Sequence, residues 1–220
     1  MNNVINAFFM TYAALFPIIN PPGAALIFLN VTRSCEPEVR RKLALRVAAS
    51  GFLLLICAIF TGSYILAFFG ISLSALRLAG GLVITMMGWR LLNGDDNFND
   101  KEPARRDSQN GEMDLAFYPL TLPLTFGPGS IAVAMALGGR EPNHLNGLGS
   151  AVSQDMGVIA GIGAICLTVY LAYRYAGGLK RVLGRNGGNV LLRLAAFILL
   201  CIGVQIVWQG MAGLIQTLPR

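Results

Sequence analysis

The chain holds six runs of about twenty predominantly apolar residues, near 5–29, 47–69, 71–92, 115–138, 154–174 and 194–213. Each is long enough to cross the roughly 30 Å of hydrocarbon in a bilayer as a helix. No water is available there to satisfy a backbone N–H or C=O, so a spanning segment is either a helix or part of a closed barrel. These runs are too long for barrel strands and do not alternate apolar with polar, which leaves helices. Hydrophobic residues make up 55% of the chain and charged ones 13%, about half the charge of an ordinary soluble domain. The first run has no basic leader and no small-residue cleavage site, and is expected to stay as the first helix. The expected fold is an all-α membrane protein of six transmembrane helices, a single domain over 1–220.

Two of the six runs carry residues that break helices. PIINPPG at 17–23 and PLTFGPG at 123–129 share one spacing, a proline, four residues, then proline and glycine, at an interval of 106. A second pair, LRLAGG at 76–81 and LRLAAF at 192–197, opens the third helix of each half at an interval of 116. Matched landmarks at nearly constant separation mark an internal repeat. Its halves are 1–92 and 115–220, divided by the hydrophilic linker 93–114. Three helices per half is an odd number, so the second half enters the membrane upside down. An inverted 3+3 repeat with two discontinuous helices is a transporter architecture.

Proline inside a membrane helix frees carbonyls, and such breaks are tolerated where they are buried in protein or line a cavity. Pro21 and Pro22 suit the first positions of a new helix, with Asn20 as its N-cap. Pro128 takes that place in the second copy, after Gly127. Each half-helix then has an N-terminus inside the protein, with the amides of Gly23, Ala24 and Ala25 in one and of Gly129, Ser130 and Ile131 in the other. Such a terminus binds a carboxylate without a basic side chain. Thr125, Ser130 and Asn20 are candidates to take an ammonium group or to fix orientation. The competing reading is a pair of ordinary proline kinks that only pack.

Of the 17 Lys and Arg residues, all but Arg77, Arg140 and Arg220 fall on one side if the helices alternate from an outer N-terminus. This asymmetry predicts both termini outside, in the periplasm, and the linker in the cytoplasm. The net charge of +6 is thereby explained by topology and not by nucleic acid. Arg77 is expected about two turns inside the third helix, either snorkelling outward or capping freed carbonyls and gating the cavity. Arg193, its repeat counterpart, reads as a flanking anchor or a second gating group. Asp155 is expected to cap the fifth helix, Trp89 and Trp208 to anchor at the interfaces, and His144 to lie in an outer loop. Four dispersed cysteines suggest neither a disulfide framework nor a metal cluster, and the linker does not meet the calcium-loop pattern. No HExxH, GxSxG, Ser/His pair or paired carboxylates appear in the spans, so neither an enzyme nor a cofactor is expected. A coupling ion and an oligomeric state are not written in the sequence.

NPPG in the first helix, FGISLSALRLAGG entering the third and PLTLPLTFGPG in the fourth together resemble the MarC family of bacterial inner-membrane proteins. The resemblance covers nearly the whole chain. It implies a kinship with amino-acid exporters of the LysE type and a small neutral amino acid as substrate, moved by alternating access. Export of other small metabolites or drugs, and a non-transporting stress-linked scaffold, are the alternatives. Carried onto matching positions, it implies a substrate site formed by Asn20, Pro21, Pro22 and Gly23 with Gly127, Pro128, Gly129 and Ser130, to which the residues themselves add Ala24, Thr125 and Phe126 as candidates. The family's usual small residue before GPG is Phe126 here, which is expected to narrow the cavity.

Overall fold

The structure, a computed structural model, describes residues 2–32, 35–93, 121, 125–138 and 148–216. The described residues are helical almost throughout. They form α1 (Asn2–Ile19), α2 (Pro21–Val31), α3 (Pro37–Phe68), α4 (Leu73–Asn93), α5 (Pro128–Gly138), α6 (Leu148–Arg174) and α7 (Ala176–Gln216), the last broken at Gly184 with φ 62°. Five stretches are long and apolar enough to cross a membrane, with α1 and α2 counted together, and α5 is a shorter apolar helix. The first part of the fourth run, most of the linker and His144 lie outside the described residues.

Helix directions follow from which glycines meet which neighbours. Along α4 and α7, Gly81 faces Val207, Thr85 faces Gly203, Gly88 faces Leu200 and Leu78 faces Gly210, so the two helices run antiparallel in one continuous register. Gly157 and Gly161 of α6 receive Ala7 and Thr11 of α1, a parallel pair joined through a GxxxG spacing. In hydrocarbon, where lipid is as apolar as leucine, such small residues let backbones approach and gain van der Waals contact. Gly51 of α3 likewise meets Phe126, just before α5, and farther along α3 Gly62 meets Met135 and Ile59 meets Gly138, so α3 and α5 cross in close contact. Exchanging the halves pairs the contact of α6 with the α1–α2 span against that of α3 with α5, the half-helix matched to α2, while the α4–α7 and α3–α6 contacts map onto themselves. All four are extensive. These contacts are compatible with the expected inverted repeat.

The turn from α3 to α4 is short and fully specified. Gly70 sits at φ 65°, a conformation that costs glycine little, and the Ile71 amide reaches back 2.9 Å to the Leu66 carbonyl. Ser72 then starts α4 by accepting the Ala75 amide at 3.1 Å. The core joins Leu15, Phe28, Leu55, Ile165 and Tyr173 from four helices with Phe126 from the segment before α5. Large apolar side chains such as Phe9, Leu53, Phe68 and Val204 point outward, as a bilayer requires.

Several sequence expectations shift. α3 begins at Pro37, ten residues before the apolar run, with proline at its start and Glu38 in its first turn. Arg40, Arg41, Lys42 and Arg46 therefore stand on helix and not in a loop. Asp155 is exposed in the second turn of α6, which begins at Leu148, and so does not cap it. Arg77 lies one turn inside α4, not two, because Ser72 supplies the cap closer to it. All four cysteines are free thiols.

Candidate substrate site at two broken helices

The first break turns on Asn20. Its φ of 48° lies in the left-handed region, which asparagine tolerates better than most residues, and interrupts the helix between α1 and α2. Its amide still closes α1 on the Phe16 carbonyl at 2.9 Å, while its own carbonyl accepts Ala24 N–H at 2.9 Å and its side-chain Oδ1 accepts Gly23 N–H at 3.2 Å. Pro21 and Pro22 have no N–H. The expected free amides of Gly23, Ala24 and Ala25 are thus corrected: the capping asparagine and the helix itself use them, and α2 offers no open donor. The same two prolines leave something else. In an unbroken helix, residues 21 and 22 would donate to the carbonyls of Pro17 and Ile18, so these two acceptors lose their helical partners.

The second break is built differently. Phe126 N–H bonds the carbonyl of Thr121, five positions back, at 2.9 Å, and Gly127 then caps α5. The Gly127 carbonyl accepts Ser130 N–H at 3.0 Å, Ile131 N–H at 3.2 Å and the Ser130 hydroxyl at 2.8 Å. Of the three amides expected to be open, only that of Gly129 lacks a hydrogen bond among the described residues. It stands at the positive end of α5, whose axis begins at Pro128.

The two breaks meet. A Cβ built on Gly129 would lie 3.8 Å from Ile18 Cγ2 of α1 and 2.6 Å from Ile84 Cγ1 of α4. The unpaired amide of one break therefore neighbours the residue whose carbonyl is freed at the other. Half-helices α2 and α5 are each 11 residues, about 16 Å, or half the hydrocarbon thickness. Each break thus stands about half a membrane thickness, measured along the helix, from the far end of its half-helix.

The polar side chains assigned to the site are already engaged. Thr125 Oγ1 is 2.5 Å from the Tyr173 hydroxyl, Ser130 serves Gly127, and Asn20 serves Gly23. Phe126 is fully buried against Gly51 of α3, so it fills the core beside the break. Pro128 is exposed, whereas Pro21, Gly23, Ala24, Gly127 and Gly129 are buried and Pro22 is partly so. Arg77 is partly exposed near the α3–α4 turn and makes no hydrogen bond to a carbonyl among the described residues; Arg193 is exposed on α7, toward the opposite end. Carbonyl capping is done instead by Arg40, whose Nη2 donates to the carbonyls of Thr32 at 3.0 Å and Cys35 at 3.3 Å, where α2 ends. Sequence reasoning missed Arg40 because the extent of α3 was hidden by its charges, and Tyr173 because nothing in its run sets it apart. No group of residues suited to hold a metal ion occurs among the described residues.

Comparison with known proteins agrees with the motifs. The family described as MarC family integral membrane protein matches residues 5–215. A membrane protein of Archaeoglobus fulgidus is 31% identical over 209 residues, covering 94% of this chain and 93% of the relative. The inner membrane protein MarC of Citrobacter koseri and that of Escherichia coli K12 are each 27% identical over 221 residues, with 99% of both chains covered. No solved structure matches. The bacterial relatives are inner-membrane proteins by name, and the apolar spans suit this chain to the same setting. With a family match over almost its whole length, the chain belongs to the MarC family as a multi-pass integral membrane protein.

Proposed function

We propose that the protein is a secondary transporter, or exporter, of small neutral amino acids or similar small zwitterions, working by alternating access around the two breaks. The observation that carries this reading is the meeting of opposite partial charges at the two breaks. The Gly129 amide at the start of α5 offers a donor for a carboxylate, and the freed carbonyls of Pro17 and Ile18 at the end of α1 offer acceptors for an ammonium. A zwitterion satisfies both without a charged side chain, which matches the absence of a buried acid or base among the described breaks. Asn20, Thr125 and Ser130 then hold the breaks in shape and leave the ends of the substrate to the backbone. A neutral molecule gains from neither pole.

The second reading, a scaffold whose breaks only pack, is favoured by one feature. The spaces beside Gly23 and Gly129 are filled by Asn20 and Ile84. Under the transporter reading this is the closed form, and Ile84 must move aside.

Uptake and counterflow of radiolabelled glycine, alanine and larger amino acids into proteoliposomes test the proposal. Free amino acids should compete, while methyl esters, which lack the carboxylate, should compete at least tenfold less well. Gly129→Val alone would confuse packing with binding because of Ile84. The informative variant is Gly129→Val with Ile84→Ala, which makes room for the added side chain. It should insert and unfold normally yet fail to transport. Normal transport by that protein, or equal competition by esters, would overturn the site.

A further inference from the structure

The basic ends of α3 and α6 bring two guanidinium groups to one phenol. Arg174 Nη1 donates to the Tyr170 hydroxyl at 2.9 Å, and Arg41 of α3 lies within reach of the same oxygen. Arg174 also stands over the Tyr175 ring, 5.8 Å from its centre. Both arginines are exposed, and neither has an ion-pair partner among the described residues. Two like charges held together repel unless an anion sits between them. An acid could have been that anion, but Glu38, one turn before Arg41 on α3, makes no ion pair with it.

Below this basic head the surface is apolar on both helices. Leu45 and Phe52 share the face of α3 that carries Arg41, at helical spacings of four and seven. Leu167 and Leu171 share the face of α6 that carries Arg174, and all four side chains are exposed. The helices touch along this line, since Phe52 Cε2 is 3.9 Å from a Cβ built on Gly163. A cationic fork at the end of a membrane helix pair, with an apolar seam running from it toward mid-depth, has the form of a phospholipid.

We propose that the Arg41–Tyr170–Arg174 fork and the seam below it bind one anionic phospholipid, its phosphate between the guanidinium groups and an acyl chain along Leu45, Phe52, Leu167 and Leu171. Arginine suits this role because its planar fork matches phosphate oxygens. Tyr170 is a positioning residue that aims Arg174. The site is separate from the breaks, and its test does not depend on transport.

Native mass spectrometry of the protein in detergent, with phosphatidylglycerol or phosphatidylcholine added at equal concentration, reads the binding directly. The wild type should retain one phosphatidylglycerol at least tenfold more tightly than phosphatidylcholine. The paired variant Arg41→Gln/Arg174→Gln should lose that preference, while Lys42→Gln/Arg90→Gln, with the same charge change at the same end, should keep it. Tyr170→Phe should weaken retention less than the paired variant does. Equal retention of the two lipids by the wild type would overturn the proposal. So would equal losses in the two paired variants, since the effect would then be net charge and not a site.

Discussion

The Tyr173 hydroxyl lies 2.5 Å from Thr125 Oγ1, and the Tyr173 ring stacks at 4.2 Å on Phe28. One side chain on α6 thus holds the second break by a hydrogen bond and the half-helix after the first break by aromatic contact. Both hydroxyls are buried, with Tyr173 1% and Thr125 3% exposed. Removing either leaves the other short of that partner in a medium without water. Tyr173→Phe and Thr125→Val should each lower stability by about 1–2 kcal/mol. The double variant should lose less than their sum, by a coupling of roughly 0.6–1.7 kcal/mol. Thermal unfolding of the four proteins in one detergent measures this, and strictly additive losses would show that the hydroxyls act apart.

Phe126 is packed against a position with no side chain, Gly51 of α3, so the two form a matched pair. Gly51→Ala should destabilise the fold by about 1–3 kcal/mol through overpacking. Phe126→Leu should recover most of that loss when combined with it, while costing stability alone. Unfolding temperatures of the single and double variants decide the matter. A Gly51→Ala protein as stable as the wild type would mean that the ring has room to move.

Asn20 is asked to do two things, to adopt φ 48° and to cap Gly23. Glycine manages the first and not the second; alanine manages neither. Stability should therefore fall from Asn to Gly by a few tenths of a kcal/mol, and from Asn to Ala by about 1–3 kcal/mol. An alanine variant as stable as the glycine variant would show that the backbone conformation is not under strain.

The distribution of charge predicts that both termini face the periplasm. Among the described residues Arg40, Arg41, Lys42, Arg46, Arg90 and Arg174 gather at one end of the bundle, and Arg77 stands at the other. A reporter fused after Arg220 should be active only if it works outside the cytoplasm. Activity of a strictly cytoplasmic reporter there would reverse the orientation and put Arg41 and Arg174 at the outer face.

The architecture was legible because each of its determinants is local. Apolar length gives the spans, and repeated proline spacings locate both breaks to the residue. The state of the amides was not legible, because a hydrogen bond to Asn20 Oδ1 or to the Gly127 carbonyl depends on three-dimensional placement that the motif does not encode. Nor was the partner of Thr125, which lies 48 residues away on a helix of ordinary composition. Arg77 drew attention as a charge in an apolar run, yet the arginine that caps carbonyls is Arg40, in a segment that reads as soluble.

The antiparallel register of α4 and α7 gives their union a phase as well as a strength. Gly81 and Gly88 are one heptad apart, as are Gly203 and Gly210, and each glycine is met by backbone of the other helix. Deleting one residue between Gly81 and Gly88 would turn everything beyond it by about 100° and carry the second glycine off the seam. Deleting a whole heptad would leave the seam nearly aligned. The clasp thus acts as a vernier: the glycines of the two helices stay in phase only when a change of length is close to a whole number of heptads.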